Sequence, residues 1–155
     1  MNYATIKNCD IANGPGVRVS LFVSGCTHHC KGCFNREAWD FSYGEPFDPR
    51  NQEAVVELLR EVKQRYPEKS IWAFSGYLFD RDILSGTLGD PAITREYVSY
   101  LDVLVDGPFI EEKKNLSLRF RGSENQRLIH VPASLAAGKV VLWEDWQGEK
   151  KGMKL

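Results

Sequence analysis

The chain has 155 residues, of which 43% are hydrophobic and 26% charged, and its formal net charge is −1 at pH 7. This length and composition are typical of one compact core. The balanced charge argues against binding to nucleic acid or a membrane surface, and no apolar run approaches the roughly 20 residues of a membrane-spanning helix. Residues 1–10 lack a basic segment followed by an apolar one, so we expect no export and a cytoplasmic location.

The first predicted strand leads directly into a loop rich in cysteine. A turn is predicted at Asn13-Gly14-Pro15-Gly16, and apolar residues then alternate with other residues over 17–23. This alternation predicts a strand with one buried apolar face, formed by Val17, Val19, Leu21 and Val23. The strand ends at Ser24-Gly25, and loops that follow strands are where α/β folds place their chemistry.

The later elements are predicted from apolar periodicity and from residues that break regular structure. Asp48-Pro49 predicts a helix start, and Pro67 follows the end of that helix. Further strands are predicted over Ile71–Tyr77, Val103–Val105, Arg127–Val131 and Lys139–Trp143, and further helices over Asp80–Ser85 and Thr94–Leu101. This alternation predicts an α/β fold with a mainly parallel sheet, as one domain over residues 1–146 with a polar tail over 147–155.

Cys26, Cys30 and Cys33 have the spacing C-x3-C-x2-C within the loop 24–35. Three thiolates can hold a 4Fe-4S cluster while its fourth iron has no protein ligand, whereas clusters that only transfer electrons normally have four cysteine ligands. An open metal position is typical of a catalytic centre. Four cysteines in a chain without an export signal also favour metal binding or catalysis over disulfides.

Two other interpretations of the cysteine loop stay open. A structural zinc ion would take the three cysteines and either His28 or His29, although zinc sites usually draw ligand pairs from two separated segments. A cluster with four protein ligands would need Cys9, which precedes the strand and would lie at its other end. We interpret Cys9 as a small buried hydrophobic residue, and the two histidines as polar loop residues.

Several segments besides the cysteine loop carry a family resemblance. They are Asn13–Arg18, Ile71–Tyr77, Asp102–Phe109 and Phe120–Arg127. Together with the loop, in which Gly32 precedes the last cysteine and Phe34 follows it, they resemble the activating proteins of anaerobic ribonucleoside-triphosphate reductase. These are small members of the radical S-adenosylmethionine (radical SAM) superfamily. The resemblance covers most of residues 1–40 and 50–145.

The resemblance implies a fold, a cofactor and a protein substrate. The fold is an incomplete parallel (βα) barrel, with the 4Fe-4S cluster on the loop after the first strand. S-adenosyl-L-methionine binds the open iron next to Gly32, Cys33 and Phe34, and one electron from flavodoxin or ferredoxin cleaves it to methionine and a 5′-deoxyadenosyl radical. That radical generates a glycyl radical on the anaerobic reductase, so no side chain acts as general acid or base.

Two alternative functions accompany this interpretation. The chain would activate a different glycyl-radical enzyme, or it would be a non-catalytic iron–sulfur or zinc-binding module. The basic residues Arg119, Arg121 and Arg127 are candidates for contact with a cofactor carboxylate or with the protein partner. The alternative for these arginines is a solvated strand face.

The chain departs from the family after the cysteine loop. Family members have a second strand that ends in a Gly-Gly-Glu/Asp-Pro motif, which holds the amino group of S-adenosylmethionine. Here only Gly44-Glu45-Pro46 follows within about a dozen residues of Cys33, so we expect a βα segment on the order of 30 residues to be absent. Gly44 and Glu45 are the candidate remnant of the motif, and the alternative is a surface turn. Loss of a strand would expose parallel edges and apolar faces.

Overall fold

The structure, a computed structural model, describes residues 2–46 and 52–143 as six strands, three α-helices and short helical turns. The strands are β1 (Asn2–Asp10), β2 (Arg18–Val23), β3 (Glu45–Pro46), β4 (Trp72–Phe74), β5 (Val103–Asp106) and β6 (Arg127–His130). The helices are α1 (Gln52–Arg65), α2 (Pro91–Ser99) and α3 (Val131–Ala137). None of the described helices has the length and apolar character needed to cross a membrane.

The strands form two separate three-stranded sheets. The first sheet has the order β2-β1-β3, and both of its pairings are antiparallel. The second has the order β4-β5-β6, with β4 parallel and β6 antiparallel to β5. A mixed α/β architecture is therefore confirmed, but the predicted mainly parallel sheet is wrong for the described residues, because only the β4–β5 pair is parallel. The incomplete parallel barrel is not seen among them.

The hydrophobic core is built around the second sheet. All four residues of β5 are buried, so its alternating side chains enter two clusters on opposite faces of the sheet. Leu104 packs with Phe79, Ile129 and the inner sides of α1 and α2. Val103 and Val105 pack with Leu128 on the other face, under the aromatic residues Trp72, Phe120 and Trp143.

The apolar face predicted for β2 is present but exposed. Val17 and Val19 are 71% and 70% exposed, and Val23 is also exposed, while Leu21 is half-buried. The predicted strand is confirmed, but the expectation that its apolar face is buried is wrong, because no described element packs over it. Cys9 on β1 is likewise exposed rather than buried.

Several other elements differ from their predictions. α2 begins at Pro91, capped by Asp90, whose side chain accepts a hydrogen bond from the backbone N–H of Ala92. β1 and α3 were not predicted, and residues 139–143 form no strand but contribute a single bridge between Leu142 and Ile129. Asp48-Pro49 and the predicted tail over 147–155 lie outside the described residues.

The two sheets are connected by side chains at the beginnings of β2 and β4. The Arg18 guanidinium donates to the Ser70 carbonyl (2.8 Å) and hydroxyl (3.1 Å), and it lies 5.4 Å from the ring centre of Trp72. Burial lowers the pKa of Arg18, since desolvation disfavours the charged form. Arg18 therefore joins the first sheet to the start of β4.

A matched pair of valine substitutions tests the exposure of β2. Val105→Ala should lower the free energy of unfolding by about 2 kcal/mol, because it removes buried methyl groups from the core. Val19→Ala makes the same chemical change at an exposed position and should cost less than about 0.5 kcal/mol. Urea denaturation of both variants measures the difference. Equal losses would show that Val19 is buried in solution.

Candidate functional site

The cysteine loop (residues 24–35) is fixed at its start by backbone hydrogen bonds. The backbone N–H groups of Gly25 and Cys26 both donate to the carbonyl of Ala38, each at 2.8 Å. Ala38 belongs to a 3-10 turn (Arg36–Trp39) that follows the loop and is itself buried. The start of the loop is therefore hydrogen-bonded to the turn that follows the loop, and this closes it.

Ser24 connects the same end of the loop to the first sheet and to the chain before β3. Its backbone N–H donates to the carbonyl of Asn2 at 3.0 Å, and its hydroxyl lies 2.7 Å from the carbonyl oxygen of Tyr43. Ser24 is buried, so these hydrogen bonds are shielded from water. The start of the loop is therefore held by buried hydrogen bonds from Ser24.

The three cysteines are free thiols and each is half-buried. The backbone N–H of Cys33 donates to the carbonyl of Cys30 at 3.1 Å, and Gly32 between them has a positive φ of 73°, a conformation that favours glycine. This hydrogen-bonded turn links the backbones of the last two cysteines. Among residues 2–46 and 52–143, no group of three or more histidine, cysteine or acidic side chains is arranged to hold a metal ion.

The donor chemistry of the loop fits an iron–sulfur cluster. Three free thiols lie within eight residues of one segment, and thiolates are the ligands that such clusters take. The two histidines of the loop pack elsewhere: the ring of His28 lies edge-on to Tyr77 at 4.4 Å, and the ring of His29 lies edge-on to Trp39 at 4.8 Å. These contacts disfavour the zinc interpretation, which needs one histidine beside the cysteines.

His28 connects the cysteine loop to the end of β4. A Cβ atom added to Gly76 would lie 2.4 Å from Cδ2 and 2.5 Å from Nε2 of His28, so the imidazole occupies the space that any side chain at 76 would need. The Nε2 atom is buried and has no hydrogen-bond partner among the described residues. Thr27 adds a long contact (3.5 Å) between its hydroxyl and that of Tyr77. No local sequence pattern predicts this contact, since the two segments are about 50 residues apart.

A second contact joins the loop to the 3-10 turn Glu111–Lys113. A Cβ atom at Gly32 would lie 2.8 Å from Oε1 of Glu111, and the Lys31 ammonium lies 3.1 Å from Oε2 of the same residue. The hydrogen bond to Glu111 raises the pKa of Lys31. Because Lys31 is exposed, this ion pair contributes little to stability. Its effect is to place the turn beside Gly32.

The carboxyl end of β5 carries a buried ion pair. Asp106 is fully buried and accepts hydrogen bonds from the backbone N–H of Phe79 (2.8 Å) and from Nε of Arg127 (3.0 Å). Arg127 also donates to Asp80 at 2.8 Å, and this hydrogen bond lowers the pKa of Asp80. The carboxylates in turn raise the pKa of Arg127. The pair fixes the end of β5 against the start of β6.

The three predicted arginines therefore lie in different surroundings. Arg127 is committed to Asp106 and Asp80, so its predicted contact with a cofactor carboxylate would require breaking a buried ion pair. Arg119 lies over the ring of Phe120 at 5.2 Å, and Arg121 donates to the carbonyl of Gln126 at 3.2 Å. The structural role of Arg127 was not predicted, although an aspartate directly after a buried strand was a signal for it.

Gly44 and Glu45 lie on the first sheet, at the edge remote from β2. Glu45 of β3 pairs with Tyr3 of β1. In the strand order β2-β1-β3, β1 therefore lies between Glu45 and β2, the strand that leads to the cysteines. Gly44 has a φ of 86°, and a Cβ there would lie 2.1 Å from the carbonyl oxygen of Tyr3, so only glycine fits. Glu45 is exposed, and its role at the cofactor stays a prediction. Phe34 is 90% exposed beside the last cysteine.

Comparison with known proteins identifies relatives along most of the chain. The family model described as a 4Fe-4S single cluster domain matches residues 12–53 and 41–129. The anaerobic ribonucleoside-triphosphate reductase-activating protein of Enterobacteria phage T4 is 39% identical over 158 residues, covering 83% of this chain and 93% of the relative. Those of Pasteurella multocida (35%; 81% and 95% covered) and Escherichia coli K12 (33%; 84% and 99% covered) are similar. No solved structure gives a match.

The same alignments contain positions of the relatives that have no residue in this chain. The phage T4 alignment has 158 positions, but 83% of 155 residues is only about 129 residues of this chain. About 30 positions thus have no residue here, and the P. multocida alignment, with 156 positions and about 126 residues, agrees. The two pieces of the family model overlap on residues 41–53, so the match is interrupted there. These lengths agree with the predicted loss of about 30 residues, whose position in the chain stays a prediction.

Gly76→Ala tests the contact between the cysteine loop and β4. The added methyl group displaces the His28 ring, so we expect Cys26 and Cys30 of the iron-free chain to be alkylated about fivefold faster, which corresponds to about 1 kcal/mol. Anaerobic labelling read by mass spectrometry measures this, with exposed Cys9 as internal standard. Gly122→Ala is the matched control, because its Cβ would lie 3.1 Å from a movable Phe109 ring atom. Equal rates in all three proteins would contradict the contact.

Proposed function

The chain belongs to the family of anaerobic ribonucleoside-triphosphate reductase-activating proteins, and we propose that it activates such a reductase by radical SAM chemistry. Three free, half-buried thiols at C-x3-C-x2-C spacing in a loop after β2 are the observation that carries this proposal. The substrate is then a glycine of the partner protein, on which a glycyl radical is formed.

Cys26, Cys30 and Cys33 would hold the 4Fe-4S cluster. With S-adenosyl-L-methionine bound, this group supplies one-electron reductive cleavage of the sulfonium and, through it, hydrogen abstraction from glycine. The protein's contribution is to fix the loop. Hydrogen bonds from Gly25 and Cys26 to Ala38 close it, and the contact of His28 with Gly76 positions it on the end of β4.

The residues around the loop would bind the cofactor. We assign Gly32, Cys33 and Phe34 to its surroundings, since they follow one another near the end of the loop, where Phe34 is exposed. Gly44 and Glu45 are assigned to its amino group as the remnant of the family's acidic motif. In this proposal the two sheets are parts of an incomplete radical SAM barrel that lacks one strand between them.

The partners follow from the same chemistry. The anaerobic ribonucleoside-triphosphate reductase is the protein substrate, and a flavodoxin or ferredoxin would deliver the electron in the cytoplasm. The ring of Phe34 is exposed and directly follows the last cysteine in sequence, so it is an apolar group that such a partner would contact.

A second candidate function is a cluster-binding module without catalysis. It is favoured by the interruption at residues 41–53 and by the position of Glu45, which β1 separates from the strand that carries the cysteine loop. A chain of this kind would keep its cluster but would not orient S-adenosylmethionine for cleavage. Reductive cleavage of S-adenosylmethionine separates the two functions, whereas both require the cluster.

Single cysteine substitutions test the ligand set. Cys26→Ser, Cys30→Ser and Cys33→Ser should each reduce the iron bound after anaerobic reconstitution from about four atoms per chain to less than about one, because three thiolates are the minimum set for the cluster. Cys9→Ser is the matched control and should retain full iron, since Cys9 is exposed on β1. Iron and sulfide assays measure the result. Loss of iron in the Cys9 variant would indicate a four-cysteine cluster.

Reductive cleavage of S-adenosylmethionine tests catalysis. The reconstituted chain with dithionite should form 5′-deoxyadenosine and methionine, measured by liquid chromatography. Glu45→Gln should lower the rate about tenfold or more, the cost of losing a charged hydrogen bond, while Glu57→Gln on the exposed side of α1 should leave it unchanged. A chain with four irons but no 5′-deoxyadenosine would support the non-catalytic module instead.

A further inference from the structure

β2 and β4 are outer strands of their respective sheets and run side by side in the same direction. At their beginnings, Arg18 of β2 donates to Ser70 just before β4 and lies over Trp72. At their ends, His28 of the loop after β2 fills the space at Gly76 just after β4. The strands are therefore bridged by side chains at both ends, and their parallel direction follows from the order of these two contacts.

Between these bridges one edge of each strand has no backbone partner among the described residues. β2 pairs only with β1, and β4 pairs only with β5, within the part of the chain that the structure describes. An unpaired edge presents a row of N–H and carbonyl groups to which another strand can add. Two parallel edges facing one another can accept a strand on both of its sides.

The surface next to this space is apolar. Val17 and Val19 are more than two thirds exposed, and Val23 lies on the same face of β2. Ile6 of β1, which is opposite Leu21, extends the face across the sheet and is also exposed. We call the residues Ile6, Val17, Val19 and Val23 the bare face. Contiguous apolar surface of this kind marks an interaction site.

The alignments indicate what kind of element fits. About 30 positions present in the relatives have no residue here, and the match is interrupted at residues 41–53, between the cysteine loop and α1. That length suffices for one strand and a crossover helix, which is the connection that parallel strands require. A strand would fill the space between β2 and β4, and an amphipathic helix would cover the bare face.

We propose that the space between β2 and β4, with the bare face beside it, binds a separate polypeptide that contributes one extended strand followed by an amphipathic helix. The strand lies parallel to β2 and β4 and pairs with both edges, and the apolar side of the helix packs on Val19 and its neighbours. Main-chain hydrogen bonds supply affinity, and alternating apolar side chains supply specificity. This inference goes beyond the proposed function and does not depend on the cluster.

The experiment uses the full chain without iron and a synthetic peptide as the probe. The peptide has the sequence of those residues of the phage T4 relative that have no counterpart in this chain. Isothermal titration calorimetry should show one peptide per chain, and a scrambled peptide of the same composition should not bind. Repeating the titration with the Cys26→Ser variant separates this result from any failure to bind a cluster.

Two lysine substitutions locate the binding site. Val19→Lys should weaken peptide binding at least about tenfold, because it puts a charge on the surface that the helix covers. Leu116→Lys is the matched control: Leu116 is 89% exposed on another loop, and this variant should bind as well as the parent chain. Circular dichroism of both variants checks that they fold alike.

Three results would overturn the proposal. The first is no binding of the peptide at millimolar concentration. The second is equal binding by the parent chain and the Val19→Lys variant, which places the peptide elsewhere. The third is a dimer of the parent chain, measured by light scattering, that Val19→Lys dissociates, because the occupant would then be a second copy of this chain.

Discussion

Side chains, not backbone hydrogen bonds, hold the two sheets of this protein together among the described residues. Arg18 reaches Ser70 and Trp72 at one end of β2, and His28 packs on Gly76 and Tyr77 at the other. The position of the cysteine loop relative to the carboxyl ends of β4 and β5 depends on these contacts. Each is a single side chain, so the geometry of the site is set by far fewer interactions than a continuous sheet would provide.

The two halves of the molecule consequently differ in how firmly they are fixed. β5 is buried on both faces, and Asp106 at its end is satisfied by a backbone N–H and by Arg127, so breaking that network would leave an uncompensated charge in the core. The first sheet has an exposed apolar face and a two-residue edge strand. Local unfolding starts where buried contacts are few. We expect the first sheet, which carries the cysteine loop, to open before the second.

Features that depend on residues close together in the sequence were predicted correctly, and features that depend on contacts between distant residues were not. The cysteine loop, β2, β5 and the core of α1 follow from spacing and periodicity. The alternation over residues 17–23 identified the strand, but burial of its apolar face needs a covering element, and residues 2–46 and 52–143 supply none. The antiparallel pairing of β1 and the contacts of His28 and Arg127 join residues far apart in sequence, and no local pattern encodes them. β3 depends on Gly44, whose close approach to Tyr3 becomes visible only in three dimensions.

The same distinction between local and distant determinants separates cluster binding from catalysis. The three thiols lie within eight residues, and the loop that carries them is closed by hydrogen bonds to Ala38, so the proposed ligand set does not depend on a distant strand. In the proposed function, the amino group of S-adenosylmethionine must be oriented by a side chain on a neighbouring strand. Side chains on regular elements are positioned more accurately than side chains on short segments. Glu45 sits on a two-residue strand beyond β1. Under the proposed function, absence of a neighbouring strand would therefore weaken the binding site of S-adenosylmethionine more than that of the cluster.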